Sequence, residues 1–499
     1  MRQRCLQLVI AFGFPLNLLL LPALAVGGPT VNLSWNASKS QVAGYNVYRG
    51  TTSGGPYTKI NASLDTTTNY LDSTVQNGQT YYYVTTSVGV DGDESKYSNQ
   101  AEAKIGAGNG QEAPLYSFTG GTDPDLPYAG VILDKAGNLY GTTEFGGAYN
   151  QGTVFELTPH ADGVWTETVL YSFTGGEDGG QPYASLTFDS AGNLYGTTGS
   201  GGGGSCTSGC GTVFKLLSSQ GSWTEKVLYA FTGESDGREP YARVIFDSAG
   251  NLYGTTLQGG NIGSVCTSGC GTVFKLSSSG GRWTESVLYA FAGDSDGTFP
   301  YAGLVFDGAG NLYGTTYAGG SSGSGTVFKL APSGSSWTES VLHTFTGGND
   351  GKYPFGDLIV DAANNLYGTA FEGGAHQYGL LFELLPRQQG QWKERVIHGF
   401  HDAPAANPIA GLIMDSSGIL YGSTMSSSEG SCQNGCGTLF KLTPGAAGGW
   451  TYTLLHVFGR GTDGYHPSGD LILDAAGNLY GTTQAGGANG SGTVFELTK

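Results

Sequence analysis

Six aspartates recur at one offset along the chain. Asp123, Asp178, Asp236, Asp296, Asp350 and Asp463 each stand five residues after a phenylalanine that closes an apolar run. A further copy, after Phe400, breaks the offset with Asp402-Ala-Pro. Carboxylates gathered on one face could bind Ca²⁺ or a cationic or hydroxyl-rich ligand. The same Asp-Gly pattern is also an ordinary turn before a proline-led strand. Repetition favours the turn, because a catalytic centre draws unlike residues from different copies. Three histidines, His376, His401 and His466, fall in loops of the last third of the chain, with Glu372, Asp402 and Glu429 in the same region. Together these could form an acid–base or metal-binding set. None of the histidines has metalloprotease or deaminase spacing, and the chain carries no nucleophile elbow, P-loop or dinucleotide fingerprint in its required context. His343, His398 and His456 stand where sister copies carry tyrosine and read as packing substitutions.

The cysteines come in pairs. Cys206–Cys210, Cys266–Cys270 and Cys432–Cys436 each span a short loop ahead of a Gly-Thr-Val/Leu-Phe segment. An even number of cysteines after an export signal favours three local disulfides that stiffen loops. Two cysteines without a nearby histidine make a poor zinc set. Residues 1–25 read as that signal: Arg2 and Arg4, a leucine-rich stretch, then Ala23-Leu24-Ala25. Cys5 precedes the apolar stretch and is not a lipoprotein acylation site. With no second long apolar run, the mature chain is expected to be soluble, extracellular and monomeric. A net charge of −18 argues against nucleic acid as a partner.

What positions these residues is a repeat. Asp-x-Ala-Gly-Asn-Leu-Tyr-Gly-Thr-Thr, with variations, places its tyrosine at Tyr140, Tyr195, Tyr253, Tyr313, Tyr367, Tyr421 and Tyr480. A period of 54 to 60 residues, with 87 glycines and four strand-like segments per copy, predicts an all-β array of propeller blades. The Trp-led fourth strand occurs six times, at Trp165, Trp223, Trp283, Trp337, Trp392 and Trp450, against seven copies of the other three. Leu115–Phe118 supplies the missing strand, so the expectation is a seven-bladed β-propeller over 112–499. Strand 115–118 would close it against Thr493–Leu497. Residues 112–118 lack Trp-Thr-Glu and should form the loosest seam. In such a blade the loop entering the first strand and the loop between the second and third share one face, where variation can carry binding.

Residues 28–105 differ. Their alternating strands and Trp35 predict a small β-sandwich, followed by a flexible linker at 106–111. Trp35, Gly44-Tyr45, Val47-Tyr48-Arg49, Gly78-Gln79-Thr80-Tyr81 and Glu94–Asn99 resemble a fibronectin type III domain. The resemblance puts Tyr81 at the tyrosine corner. The 112–499 array, through Gly-Asn-Leu-Tyr-Gly-Thr-Thr, Gly-Thr-Val-Phe-Lys-Leu and Trp-Thr-Glu-x-Val-Leu-Tyr-x-Phe, resembles the GloVer repeat of bacterial choice-of-anchor proteins. That resemblance implies an exported repeat protein and no catalytic residues.

The expectation for function is a secreted, non-catalytic binding protein for polysaccharide or another cell-surface ligand, with no cofactor evident and Ca²⁺ as the candidate ion. The alternative is a propeller glycan lyase or hydrolase using His376, His401 and His466 on the loop face.

Overall fold

The computed structural model describes residues 6–8, 31–38, 40–72, 74–75, 80–104, 112–160, 162–219, 221–401, 405–426, 435–445, 448–459 and 462–499. Asp402, Glu429 and Cys432 lie outside them. The chain divides into two compact units, Met1–Asn109 and Gly110–Lys499.

The first unit holds two sheets. One orders Leu6–Leu8, Val31–Trp35 and Asn69–Asp72; the other orders Thr58–Lys59, Val42–Gly50, Thr80–Gly89 and Ala101–Lys104. Alternate residues of both sheets bury a common core of Val31, Leu33, Trp35, Tyr45, Val47, Tyr81, Tyr83 and Ala103. Leu6–Leu8, inside the stretch read as an export signal, adds to the open edge of Val31–Trp35. Tyr81 is buried, with the Arg49 guanidinium 4.8 Å from its ring centre. The Tyr83 hydroxyl donates to Asp72 Oδ2 at 2.9 Å, and Arg49 Nη1 holds the same oxygen at 2.7 Å. Burial alone would raise the Asp72 carboxyl, but hydrogen bonds from the Thr74 hydroxyl and backbone N–H, then from Tyr83 and Arg49, keep it below its ordinary range.

Among the described residues the second unit is a run of seven antiparallel sheets that share a four-strand order, the fifth with Lys352–Pro354 added, and Pro124–Asp125 pairs separately with Phe145–Gly146. The second sheet is representative: Thr187–Phe188, Leu194–Thr198, Thr212–Ser219 and Ser222–Ala230. The turn between its first two strands is closed by Asp189. Its Oδ1 accepts from the backbone of Ala191 and Asn193, both at 2.9 Å, and its Oδ2 from the Tyr195 hydroxyl at 3.1 Å. The Leu-Tyr-Gly-Thr-Thr strand is buried throughout because sheets pack on both its faces. Its glycine is needed for close approach: a Cβ at Gly141 would lie 2.5 Å from the Phe155 ring.

Only two residues of each sheet's first strand pair within the sheet, as in Val305–Phe306. The preceding Pro-Tyr-Ala segment bonds to the neighbouring sheet instead. Thr142 Oγ1 donates to the Ala184 carbonyl at 3.0 Å and Thr197 Oγ1 to the Ala242 carbonyl at 3.1 Å. The equivalent bond from the last sheet runs from Thr482 Oγ1 to Ala129 of the first, at 2.8 Å.

The last sheet orders Ile472–Leu473, Leu479–Thr483, Thr493–Leu497 and Glu112–Ser117. The N-terminal strand is antiparallel to Thr493–Leu497, with Thr493 opposite Ser117 and Leu497 opposite Glu112. Phe118 packs edge-on to Phe155 at 5.1 Å, as Phe173 does to Phe214 at 5.0 Å. Phe118, Val131, Leu139, Phe155, Tyr480 and Val494 form one core that joins the last sheet to the first. One expectation is corrected here. The N-terminal strand does lack Trp-Thr, but Glu112 fills the slot of the Trp-Thr-Glu glutamate, opposite Leu497 as Glu167 is opposite Leu157.

Candidate functional site in the central cavity

Each sheet is entered by a loop laced to the loop between its second and third strands. Gly180 bridges Ser200, Arg238 bridges Gln258, Thr298 bridges Ala318, and Tyr465 bridges Ala485. The two loop sets therefore share a face. Just past the entering loop comes Pro-x-small-x, which occurs seven times: Pro127-Tyr-Ala-Gly130, Pro182-Tyr-Ala-Ser185, Pro240-Tyr-Ala-Arg243, Pro300-Tyr-Ala-Gly303, Pro354-Phe-Gly-Asp357, Pro408-Ile-Ala-Gly411 and Pro467-Ser-Gly-Asp470.

These segments surround a cavity of about 540 Å³. Its aromatic wall is continuous through five consecutive sheets. Ring centres lie 5.5 Å apart from Tyr128 to Tyr183, 4.6 Å to Tyr241, 5.9 Å to Tyr301 and 4.6 Å to Phe355. Gly199 makes room for one of them, since a Cβ there would meet the Tyr241 ring at 2.3 Å. The wall closes with Ile409 and Ser468, so the aromatic lining covers one side only.

Polar groups sit at the wall and the floor. The Tyr183 hydroxyl donates to Glu144 Oε1 at 2.5 Å, and burial raises the Glu144 carboxyl above its ordinary value. The floor is the last residue of the seven segments. Arg243 Nε donates to Asp357 Oδ2 at 2.7 Å; Asp357 Oδ1 accepts from Gly303 N at 2.6 Å; Asp470 Oδ1 accepts from Gly411 N at 2.7 Å. Charged residues thus alternate with glycines whose amides face them. A Cβ at Gly303 would stand 2.9 Å from Asp357 Oδ2. The Asp357 charge raises the Arg243 pKa. Burial, and then Asp357, push the Asp470 carboxyl up to about 6, with Arg243 opposing. Ser185, Arg243, Asp357 and Asp470 also line a second cavity of about 360 Å³, so this cluster is the neck between the two.

The six repeated aspartates do not line either cavity. Each caps its own loop. Asp236 accepts from Thr232 N at 2.8 Å, Thr232 Oγ1 at 2.6 Å and the Tyr229 hydroxyl at 3.0 Å. Asp123, Asp178, Asp296 and Asp350 repeat the backbone contact, from residues 119, 174, 292 and 346. Asp463 takes Gly459 N at 3.1 Å. Facing them are the glutamates of Trp-Thr-Glu. Burial and the nearby aspartate push Glu167, Glu225, Glu285, Glu339 and Glu394 up to about 7, and Glu112 to about 9.

Two of the three candidate histidines come together. His376 and His401 are exposed, with ring centres 6.0 Å apart. His466 packs on Tyr465 at 5.0 Å, and its backbone N–H donates to Cys436 O at 2.9 Å. None of the three lines the central cavity. Disulfides join Cys206 to Cys210 and Cys266 to Cys270. Cys436 is also disulfide-bonded, and its predicted partner Cys432 lies outside the described residues.

The cavity was missed in the sequence although its signal was present. Pro-x-small, Pro-Tyr-Ala in four of the seven copies, reads as a strand start. The informative change is at its fourth position, which runs Gly, Ser, Arg, Gly, Asp, Gly, Asp.

Fold and repeat define an all-β protein of tandem four-stranded sheets with a small sandwich ahead of them. The chain belongs to the Gloeobacter/Verrucomicrobia repeat family, whose model matches residues 69–265, 203–432 and 387–499. Its N-terminal region is similar to a solved Fn3-like protein from Clostridium thermocellum, at 48% identity over 15% of this chain and 73% of that one, with a TM-score of 0.14. An amylopullulanase from Thermoanaerobacter thermohydrosulfuricus is 41% identical over 120 residues, 22% of this chain. One from Thermoanaerobacterium thermosulfurigenes is 36% identical over 142 residues, 26% of this chain. The matched stretch spans 8% of each of these relatives. No helix among the described residues is long and apolar enough to cross a membrane.

Proposed function

We propose that the chain is an exported carbohydrate-binding protein whose seven sheets are the blades of a closed β-propeller, with a glycan seated in the aromatic-lined cavity at its centre. The supporting observation for closure is that the last-to-first seam carries the threonine-to-carbonyl bond found at most seams within the run, and the same Phe–Phe contact. Residues 1–25 would be its export signal, and the disulfides suit an oxidising compartment outside the cell.

One observation carries the binding reading. Consecutive aromatic faces border a concave site with a few convergent polar groups. Sugar rings present apolar C–H faces that pack on aromatic rings and hydroxyls that hydrogen-bond to carboxylate, guanidinium and phenol. Glu144, Arg243, Asp357 and Asp470 supply those partners. The relatives named amylopullulanases suggest a polysaccharide as the first ligand to try. Affinity electrophoresis in gels containing pullulan, starch or other glycans tests it. Retardation of the wild type, lost in Tyr183→Ala with Tyr241→Ala, is expected. Unretarded migration through every glycan ends the reading.

A second reading, glycan hydrolysis, has one observation in its favour. Asp470, raised to about 6, shares the cavity floor with Asp357 and could hold a proton near neutrality. Release of reducing ends from a bound glycan, abolished by Asp470→Asn, would support it over simple binding.

A further inference from the structure

One cluster stands out at the seam between the sixth sheet and the last, the sheet completed by the N-terminal strand. At four seams a tyrosine hydroxyl bonds the loop aspartate, as Tyr171 does Asp178 and Tyr289 does Asp296. At three seams His343, His398 or His456 replaces that tyrosine, and at this one it is His456. Its Nε2 lies 3.0 Å from Asp463 Oδ2 and 3.8 Å from Glu112 Oε2. One ligand atom from each of the three residues lies within 4.8 Å of the others.

The glutamate is buried and lacks a donor, as Glu167, Glu225, Glu285, Glu339 and Glu394 also do; what sets this seam apart is that the His456, Asp463 and Glu112 ligand atoms converge. The Glu112 side chain is 3% exposed, and its Oε1 has no hydrogen-bond partner among the described residues. A buried carboxylate oxygen without a donor is costly. Two carboxylates packed side by side raise that cost, and a cation between them offsets it as a proton would. The chemistry of the set selects the cation. An imidazole nitrogen with two carboxylate oxygens suits a first-row metal such as Zn²⁺, which takes nitrogen and oxygen at about 2.0–2.2 Å. Ca²⁺ prefers an all-oxygen shell of six to eight.

We propose that Glu112, His456 and Asp463 form a zinc-class metal site that clasps the N-terminal strand to the end of the repeat array. The three ligands come from three segments: the strand Glu112–Ser117, the strand Trp450–Val457, and the loop that enters the last sheet. The metal would join residues more than 340 positions apart in sequence. It would act at the one seam whose outer strand has no covalent link to its own sheet.

The test uses the full chain, stripped with chelator and then titrated with Zn²⁺. One equivalent should bind and raise the melting temperature by several degrees, as selective binding to the folded state requires. Two variants separate a metal site from a merely structural cluster. His456→Tyr restores the residue of the sister seams, so it should fold yet lose the Zn²⁺-dependent rise. Glu112→Gln removes one ligand charge and should weaken binding at least tenfold. His343→Tyr, at a different seam, should leave Zn²⁺ binding unchanged. The proposal is overturned if the stripped wild type takes up no Zn²⁺, if His456→Tyr keeps the same response, or if Ca²⁺ matches Zn²⁺ in both proteins.

Discussion

The two ends of each sheet use repetition in opposite ways. At the rim the same trio recurs: a tyrosine or histidine, a loop aspartate and a half-buried glutamate, as in Tyr171, Asp178 and Glu225. At the central cavity the repeated frame is kept but its side chains diverge. The wall runs Tyr, Tyr, Tyr, Tyr, Phe, Ile, Ser, and the floor runs Gly, Ser, Arg, Gly, Asp, Gly, Asp. A residue that every sheet needs for packing is repeated. A ligand that touches all the sheets at once needs different groups from each. On the proposed reading, departure from the repeat marks the ligand site and adherence marks scaffold.

The widest separation between scaffold and site comes from the N-terminal strand. Deleting residues 112–118 removes a whole ladder from Thr493–Leu497 and takes Phe118 from the shared core. The loss should exceed about 5 kcal/mol, which is near the whole stability of many domains. Thermal melting would read it as loss of the cooperative transition. A deletion that melts like its parent would show that the seam does not hold the array together.

Cavity substitutions should behave in the converse way. Tyr183→Ala or Tyr241→Ala leaves the sheets paired and removes one face from the wall. Affinity for a bound glycan should fall roughly tenfold or more, in the range of an aromatic anchor, while urea unfolding shifts little. If Glu285→Gln at the rim weakens binding as much as Tyr241→Ala, the division between rim and cavity is wrong.

How far the sequence was legible follows the same division. Local signals fixed the hairpins: Asp-x-x-Gly-Asn sets the turn, and the count of Trp-led strands placed 112–118 beside Thr493–Leu497. The site was not local. Arg243 and Asp357 are 114 residues apart and meet only because alternate segments converge. The repeated aspartates stand out in a sequence because they repeat, and their carboxylates cap turns for the same reason. Loop histidines looked chemical by residue type, yet His376 and His401 pair at an exposed position and His466 packs elsewhere.

A smaller effect is expected from the loop disulfides. Cys206–Cys210 closes a very short loop, so the chain-entropy contribution is at most about 2 kcal/mol. Cys206→Ser with Cys210→Ser should lower the melting temperature by a few degrees and leave glycan binding intact, because neither cysteine lines the cavity. A loss of binding in that double variant would move the site outward onto the variable loops.

The finest test concerns charge at the rim. Burial, then the Asp178 charge, hold the Glu225 carboxyl at about 7 against an ordinary 4.5. Its Oε1 has no hydrogen-bond partner among the described residues. A carboxyl raised in the folded state keeps its proton there while the unfolded chain releases it. Stability from this group is therefore full below pH 4.5, falls as pH rises through 7, and is flat above. Glu225→Gln is neutral at every pH and can donate to Asp178. The variant should melt a few degrees higher than wild type at pH 8, with the gap closing as the pH approaches 4.5. Melting curves at both pH values decide the matter. A gap of the same size at each would mean that the glutamine changes packing alone, and that the repeated rim carboxylates are already neutralised by something other than protons.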